Sequence, residues 1–113
     1  MITVSESISL SKLKKMAEER FGILVKAVID VEKEIMAVDA ELHADQEALL
    51  LEKGSKQEDL WGINIYPEML ESERIEFDSM INLRPSQGNR TRGVDNPAIR
   101  QKIIEIVNKL VTK

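Results

Sequence analysis

The sequence predicts an α+β fold: a mainly antiparallel sheet of four to five strands, flanked by an N-terminal and a C-terminal helix. Three observations predict it. A 3.6-residue apolar period opens the chain after a serine cap at Ser9. The period changes to strict alternation from Leu24 onward. A helix-start signal, Asn96-Pro97, precedes an isoleucine stripe that runs to the C-terminus. At 113 residues, 42% of them apolar and 32% charged, the chain suits one domain, expected to span 1–113.

The first helix starts at Ser9, whose hydroxyl can accept from free amides of the first turn. Ile8 and Leu13 stand at the spacing of a hydrophobic staple. Leu10, Leu13, Met16 or Ala17, and Phe21 give one apolar face, and Gly22 is the expected terminator. Val25, Ala27, Ile29 and Val31 then alternate as a strand, and Ile35–Val38 would complete a hairpin. Its turn is weakly specified, because Glu32-Lys33 is a poor two-residue loop: neither residue favours positive φ.

Residues 41–52 read either way. As a strand they place Leu42, Ala44, Ala48 and Leu50 opposite His43, Asp45 and Glu47; as a helix they would be capped by Asp45 and stopped by Gly54. The strand is favoured. Two further strands follow: Leu60–Tyr66, closed by Pro67, and Ile75–Arg84, which has the cleanest alternation in the chain. Between them Pro67–Glu73 is an acidic loop or a single helical turn. Trp61 is in phase with Ile63 and Ile65 and is therefore expected in the core. In the last helix Ile99, Ile103, Ile106 and Leu110 form a stripe that Ile104, Val107 and Val111 widen beyond what one packing surface needs. The excess suggests a homodimer surface.

Composition narrows the function classes. The chain has no cysteine, which removes disulfides and thiolate metal sites. It has no apolar run of membrane-spanning length and no signal-like N-terminus, so a cytoplasmic, membrane-free protein is expected. The net charge of −4 lowers the expectation of a nucleic-acid partner.

The most unusual segment is 84–94, RPSQGNRTRGV, with three arginines and no acid in an otherwise acidic chain. Arginine forks suit phosphate or carboxylate, the two glycines free the backbone to turn, and the segment feeds a helix N-terminus. Arg84, Ser86, Gln87, Asn89, Arg90 and Arg92 are accordingly the expected ligand-binding residues, for an anionic, phosphate-bearing small molecule. Neither a P-loop nor a dinucleotide fingerprint is present. The competing structural reading has these arginines bridging to Glu68, Glu71, Glu73, Glu76 and Asp78.

A second constellation is His43, Asp45 and Glu47. On a strand the three point one way and could bind Zn²⁺, Mn²⁺ or Mg²⁺ or supply acid–base groups to a phosphate-ester hydrolase or nuclease. On a helix they would not converge. The pattern is common by chance, and neither a metal nor a cofactor is predicted.

Two stretches carry a resemblance as a set: Glu41-Leu42-His43-Ala44-Asp45 through Ala48–Leu51 and Gly54-Ser55 to Gln57-Glu58-Asp59-Leu60-Trp61-Gly62, and Arg84-Pro85-Ser86-Gln87-Gly88-Asn89-Arg90. Together they resemble a small prokaryotic family of about this length, classed as a domain of unknown function. The resemblance spans nearly the whole chain. It implies a stand-alone prokaryotic domain and no catalytic assignment. Small ribonuclease toxins share the size and the helix-plus-sheet build, but they are typically basic, and this acidic chain departs from them.

Overall fold

The computed structural model describes residues 1–113. Strand β1 (Ile2–Val4) and the two-residue β2 (Ile8–Ser9) lead into α1 (Leu10–Arg20), and β3 (Val25–Asp30) and β4 (Ile35–Val38) form the hairpin. Helix α2 (His43–Glu52) precedes β5 (Leu60–Ile65) and β6 (Ile75–Glu76); α3 (Pro97–Leu110) and β7 (Val111–Thr112) end the chain. The sheet has five strands in the order β1-β4-β3-β5-β6, and every pairing is antiparallel. A short parallel ladder, β2 with β7, ties the two ends of the chain together.

Both sheet faces are covered. Val25, Ala27, Ile29, Met36, Val38, Trp61, Ile63 and Ile65 alternate onto the first face. There they meet Leu13, Met16 and Ala17 of α1 and Ile103, Ile106, Val107 and Leu110 of α3. Onto the second face come Val28, Ala37 and Leu60, beneath Leu50 of α2. The caps that start the outer helices are the expected ones: Ser9 Oγ accepts from Lys12 N at 3.1 Å and Asn96 Oδ1 from Ala98 N at 2.8 Å. Gly22, at φ +92°, follows the end of α1.

The hairpin turn is not a two-residue loop. It runs through Val31–Glu34 and takes Glu34 to φ +57°. Asp30 compensates for the unsuitable sequence: its Oδ1 accepts from the amides of Glu32 and Lys33, each at 2.9 Å, and its Oδ2 accepts from Ser55 Oγ at 2.6 Å.

Two expectations are corrected. Residues 43–52 form a helix rather than a strand. Its buried residues, His43, Gln46 and Leu50, stand at helical spacing, but two of the three are polar, so the apolar stripe is missing from the sequence. Those two are buried because each bonds a sheet carbonyl: His43 Nε2 with Ile63 O at 2.7 Å, and Gln46 Nε2 with Lys26 O at 2.7 Å. The cap position is Leu42, not Asp45, and it offers no side-chain bond; Gly54, at φ +97°, does lie just past the end.

The strand expected over Ile75–Arg84 stops after Glu76. Ile75 and Phe77 pack on the first-face core while Ile81 packs on the second, so the alternation records a segment rolling around the sheet edge. The outer edge of β5 is nonetheless satisfied. Asn64 pairs with Glu76 of β6. Gly62 gives its N–H to Asn82 Oδ1 (2.8 Å), and its carbonyl accepts from Asn82 Nδ2 (2.9 Å). The carbonyl of Leu60 accepts from the Arg84 guanidinium. An asparagine amide and an arginine fork thus stand in for the missing strand. No helix is long and apolar enough to cross a membrane.

Candidate functional site

The arginine-rich segment is stitched together by one side chain. Asn89, 3% exposed, donates from Nδ2 to the carbonyls of Asn82 (2.7 Å), Gly93 (2.8 Å) and Thr91 (3.1 Å), and its Oδ1 accepts from Asp95 N (2.8 Å). Gly88, at φ +86°, follows a turn over Pro85–Gln87 and brings Asn89 back to pair with Arg84. Asp95 closes the loop from the other side, where its carboxylate accepts from Arg90 N (2.7 Å) and Thr91 Oγ1 (2.6 Å). These two bonds hold the Asp95 carboxyl below its ordinary value, the Thr91 hydroxyl contributing most. The turned backbone therefore already carries an anion, supplied by the protein itself.

The expected ligand residues are distributed accordingly. Arg84 donates to the carbonyls of Gln57 and Leu60 and lies 4.2 Å over the Trp61 ring; burial pulls its guanidinium below the ordinary value. Gln87 Nε2 donates to Glu58 O at 2.9 Å. Ser86 and Arg90 are exposed. Arg92 is also exposed, and its Nε is held by Asp78 Oδ1 at 2.7 Å while its terminal nitrogens bond nothing in the protein. Of the acids weighed as bridging partners, only Asp78 pairs with an arginine of this loop.

Arg92 turns toward α2. With Lys26, His43 and Ala44 it lines a cleft of about 180 Å³ on the second sheet face, rimmed by Leu42 and Met80 and backed by Ser79. The N-terminus of α2 opens into this cleft without a side-chain cap, and neither the His43 nor the Ala44 amide makes a hydrogen bond. His43 is 7% exposed. Ile63 O can only accept, so Nε2 carries the ring proton and Nδ1 is an acceptor. Nδ1 makes no hydrogen bond within the protein, and His43 lines the cleft. Burial lowers the imidazole pKa below its ordinary value, and the charges of Lys26 and Arg92 act in the same direction, against the Ile63 hydrogen bond and the charge of Asp78.

His43 and Arg92 thus meet, whereas Asp45 and Glu47 do not join them. Asp45 lines a separate cavity of about 520 Å³ with Arg20, Asp39 and Glu52. Glu47 is half-buried, with Oε2 enclosed and unpartnered, and its charge bears on Arg84. No group of three His, Cys, Asp or Glu side chains is placed to hold a metal ion. Lys26 and the α2 amides were not legible as site groups, because the strand reading of 41–52 contains no helix N-terminus to find.

Residues 2–110 match the family described as protein of unknown function (DUF5674). No curated protein and no solved structure matches the chain. The chain belongs to the DUF5674 family.

Proposed function

We propose that this family member binds a small anion in the cleft between the N-terminus of α2 and the arginine-rich segment. Arg92 is the loop's contribution. One observation carries the reading: in a chain of net charge −4, Lys26 and Arg92, the latter with unbonded terminal nitrogens, line a single cleft at the uncapped N-terminus of α2, the Lys26 ammonium lying 5.4 Å over the Phe21 ring. Asp78 aims the Arg92 fork by holding only Nε. Within this reading Arg84, Gln87 and Asn89 shape the loop, and Ser86 and Arg90 lie outside the site.

Thermal melts at matched ionic strength, with sulfate, phosphate and pyrophosphate, test it. A ligand at 100 times its Kd adds about 2.7 kcal/mol, which is several degrees for a domain of this size. The rise should vanish in Arg92→Ala and shrink in Lys26→Ala, while the ligand-free melt of Arg92→Ala stays near wild type. A flat panel, or a rise indifferent to both substitutions, would refute it.

The hydrolase reading retains one support, the meeting of His43 with Arg92, but lacks an accompanying carboxylate from Asp45 or Glu47. The dimer reading is supported by Ile104, which is half-buried in a surface groove beside Ile75 and Phe77.

A further inference from the structure

Resting on that anion reading, we infer that the cleft is a pH-gated site, in which His43 takes up a proton as the anion binds. Protonation breaks no contact of the fold. Ile63 O accepts from Nε2 at 2.7 Å in the neutral and the charged ring alike, and Nδ1 makes no hydrogen bond within the protein. A proton added at Nδ1 therefore turns the ring into a cation with a free donor, at the first residue of α2 and on the wall of the cleft. The Lys26 ammonium lies 5.4 Å over the Phe21 ring, which makes an imidazolium the natural second cation to the Arg92 fork. His43 is 7% exposed, so a change in its charge is poorly screened by water.

In the empty cleft the same surroundings oppose that proton. Burial disfavours the imidazolium most, and Lys26 of β3 and Arg92 reinforce the effect. The Ile63 carbonyl and Asp78 act the other way, but Asp78 is already held by Arg92 Nε at 2.7 Å. The positive end of α2 adds to the opposition. No carboxylate on or beside α2 offsets it: Glu41 pairs with Arg20 at 3.7 Å, Asp45 lines a separate cavity, and Glu47 bears on Arg84. An anion reverses the balance, because it sets an unpaired negative charge beside the ring. By linkage the factor by which the anion favours the proton is the factor by which the proton favours the anion. Affinity therefore rises as pH falls through the His43 pKa of the complex, and levels off below the lower pKa of the free protein.

The test is a sulfate titration of the wild-type protein from pH 8 to pH 5 at fixed ionic strength. Sulfate stays a dianion over that range, so any pH dependence belongs to the protein. Affinity should rise about tenfold or more on the descent, a factor of ten for each unit by which the anion raises the His43 pKa. The ¹⁵N resonances of the imidazole are followed alongside, and His43 is the sole histidine, so its signals are unambiguous. With sulfate bound, both ring nitrogens should be protonated at a pH where the free protein keeps Nδ1 bare. His43→Gln, whose amide can also donate to Ile63 O, should bind sulfate with a flat pH profile; the wild-type ¹⁵N titration decides alone if that variant does not fold. Arg92-dependent sulfate binding with no pH dependence would overturn the proton coupling and leave the anion reading standing. So would a rise in affinity with Nδ1 still bare in the complex, or an imidazole already charged at pH 8 in the free protein. Absence of sulfate binding across the whole range would remove the anion reading itself, and the coupling with it.

Discussion

Replacing Asn82 by alanine leaves the N–H and the carbonyl of Gly62 without partners where the sheet edge has no neighbouring strand, and leaves the Arg92 carbonyl with Ser79 N alone. In the native chain the Asn82 amide, 0% exposed, takes the N–H of Gly62 at 2.8 Å and donates to the carbonyls of Gly62 and Arg92, each at 2.9 Å. A hydrogen bond of this kind contributes about 1 kcal/mol net, and each buried group left unpaired costs about 1–3 kcal/mol. Water entering at the edge recovers some of that, so with two groups unpaired the expected loss is about 2–4 kcal/mol, a large share of a typical 5–15 kcal/mol stability. Urea denaturation reads it directly as a lower midpoint at unchanged slope. Asn82→Asp separates the contributions: it keeps the acceptor for Gly62 N but turns a carboxylate toward two carbonyls, and should be no better than alanine. Hydrogen exchange at the Gly62 amide should accelerate in both variants. A loss below about 1 kcal/mol, with the Gly62 amide still protected, would refute the idea that this side chain substitutes for a strand.

The other predictions concern neighbouring features. Gly62→Ala places a Cβ 2.6 Å from Ser79 Cβ and Oγ, and should cost about 1–3 kcal/mol in denaturation, partly recovered by Ser79→Gly in the same chain. Arg84→Lys loses the fork that reaches two carbonyls and the flat stacking on Trp61, and should lower the melting temperature although the charge is kept. His43, its pKa lowered by burial, resists protonation in the fold more than in the unfolded chain. Its contribution is therefore complete above the ordinary value of 6.5 and declines as pH falls from there toward the native value, with a slope of up to about 1.4 kcal/mol per pH unit. Denaturation from pH 8 to 5 checks the sign, and stability that rises over that descent would contradict it.

The parts of this fold legible in the sequence are those where one residue type has one local job. Ser9 and Asn96 cap, Gly22 and Gly54 reverse, and Val25–Asp30 alternates into a sheet buried on both sides. Helix α2 was hidden because its inner face is His43, Gln46 and Leu50, and the first two are held by single sheet carbonyls that no local pattern announces. The strand expected through Arg84 was hidden for a similar reason: Asn82 and Arg84 reach the edge of β5 across about twenty residues of chain. The site divides likewise. Arg92 stood out by its charge, whereas the α2 amides and Lys26 become site groups only once α2 lies across the sheet. The same lost helix made the His43-Asp45-Glu47 alignment look plausible.

A titration of ¹⁵N-labelled protein with sulfate, followed at every backbone amide, tests the anion cleft most directly. Saturable shifts should centre on His43 and Ala44 and extend to Lys26 and Arg92, and Arg92→Ala should abolish them. Shifts confined to 86–90, or none beyond the drift caused by ionic strength, would contradict the cleft.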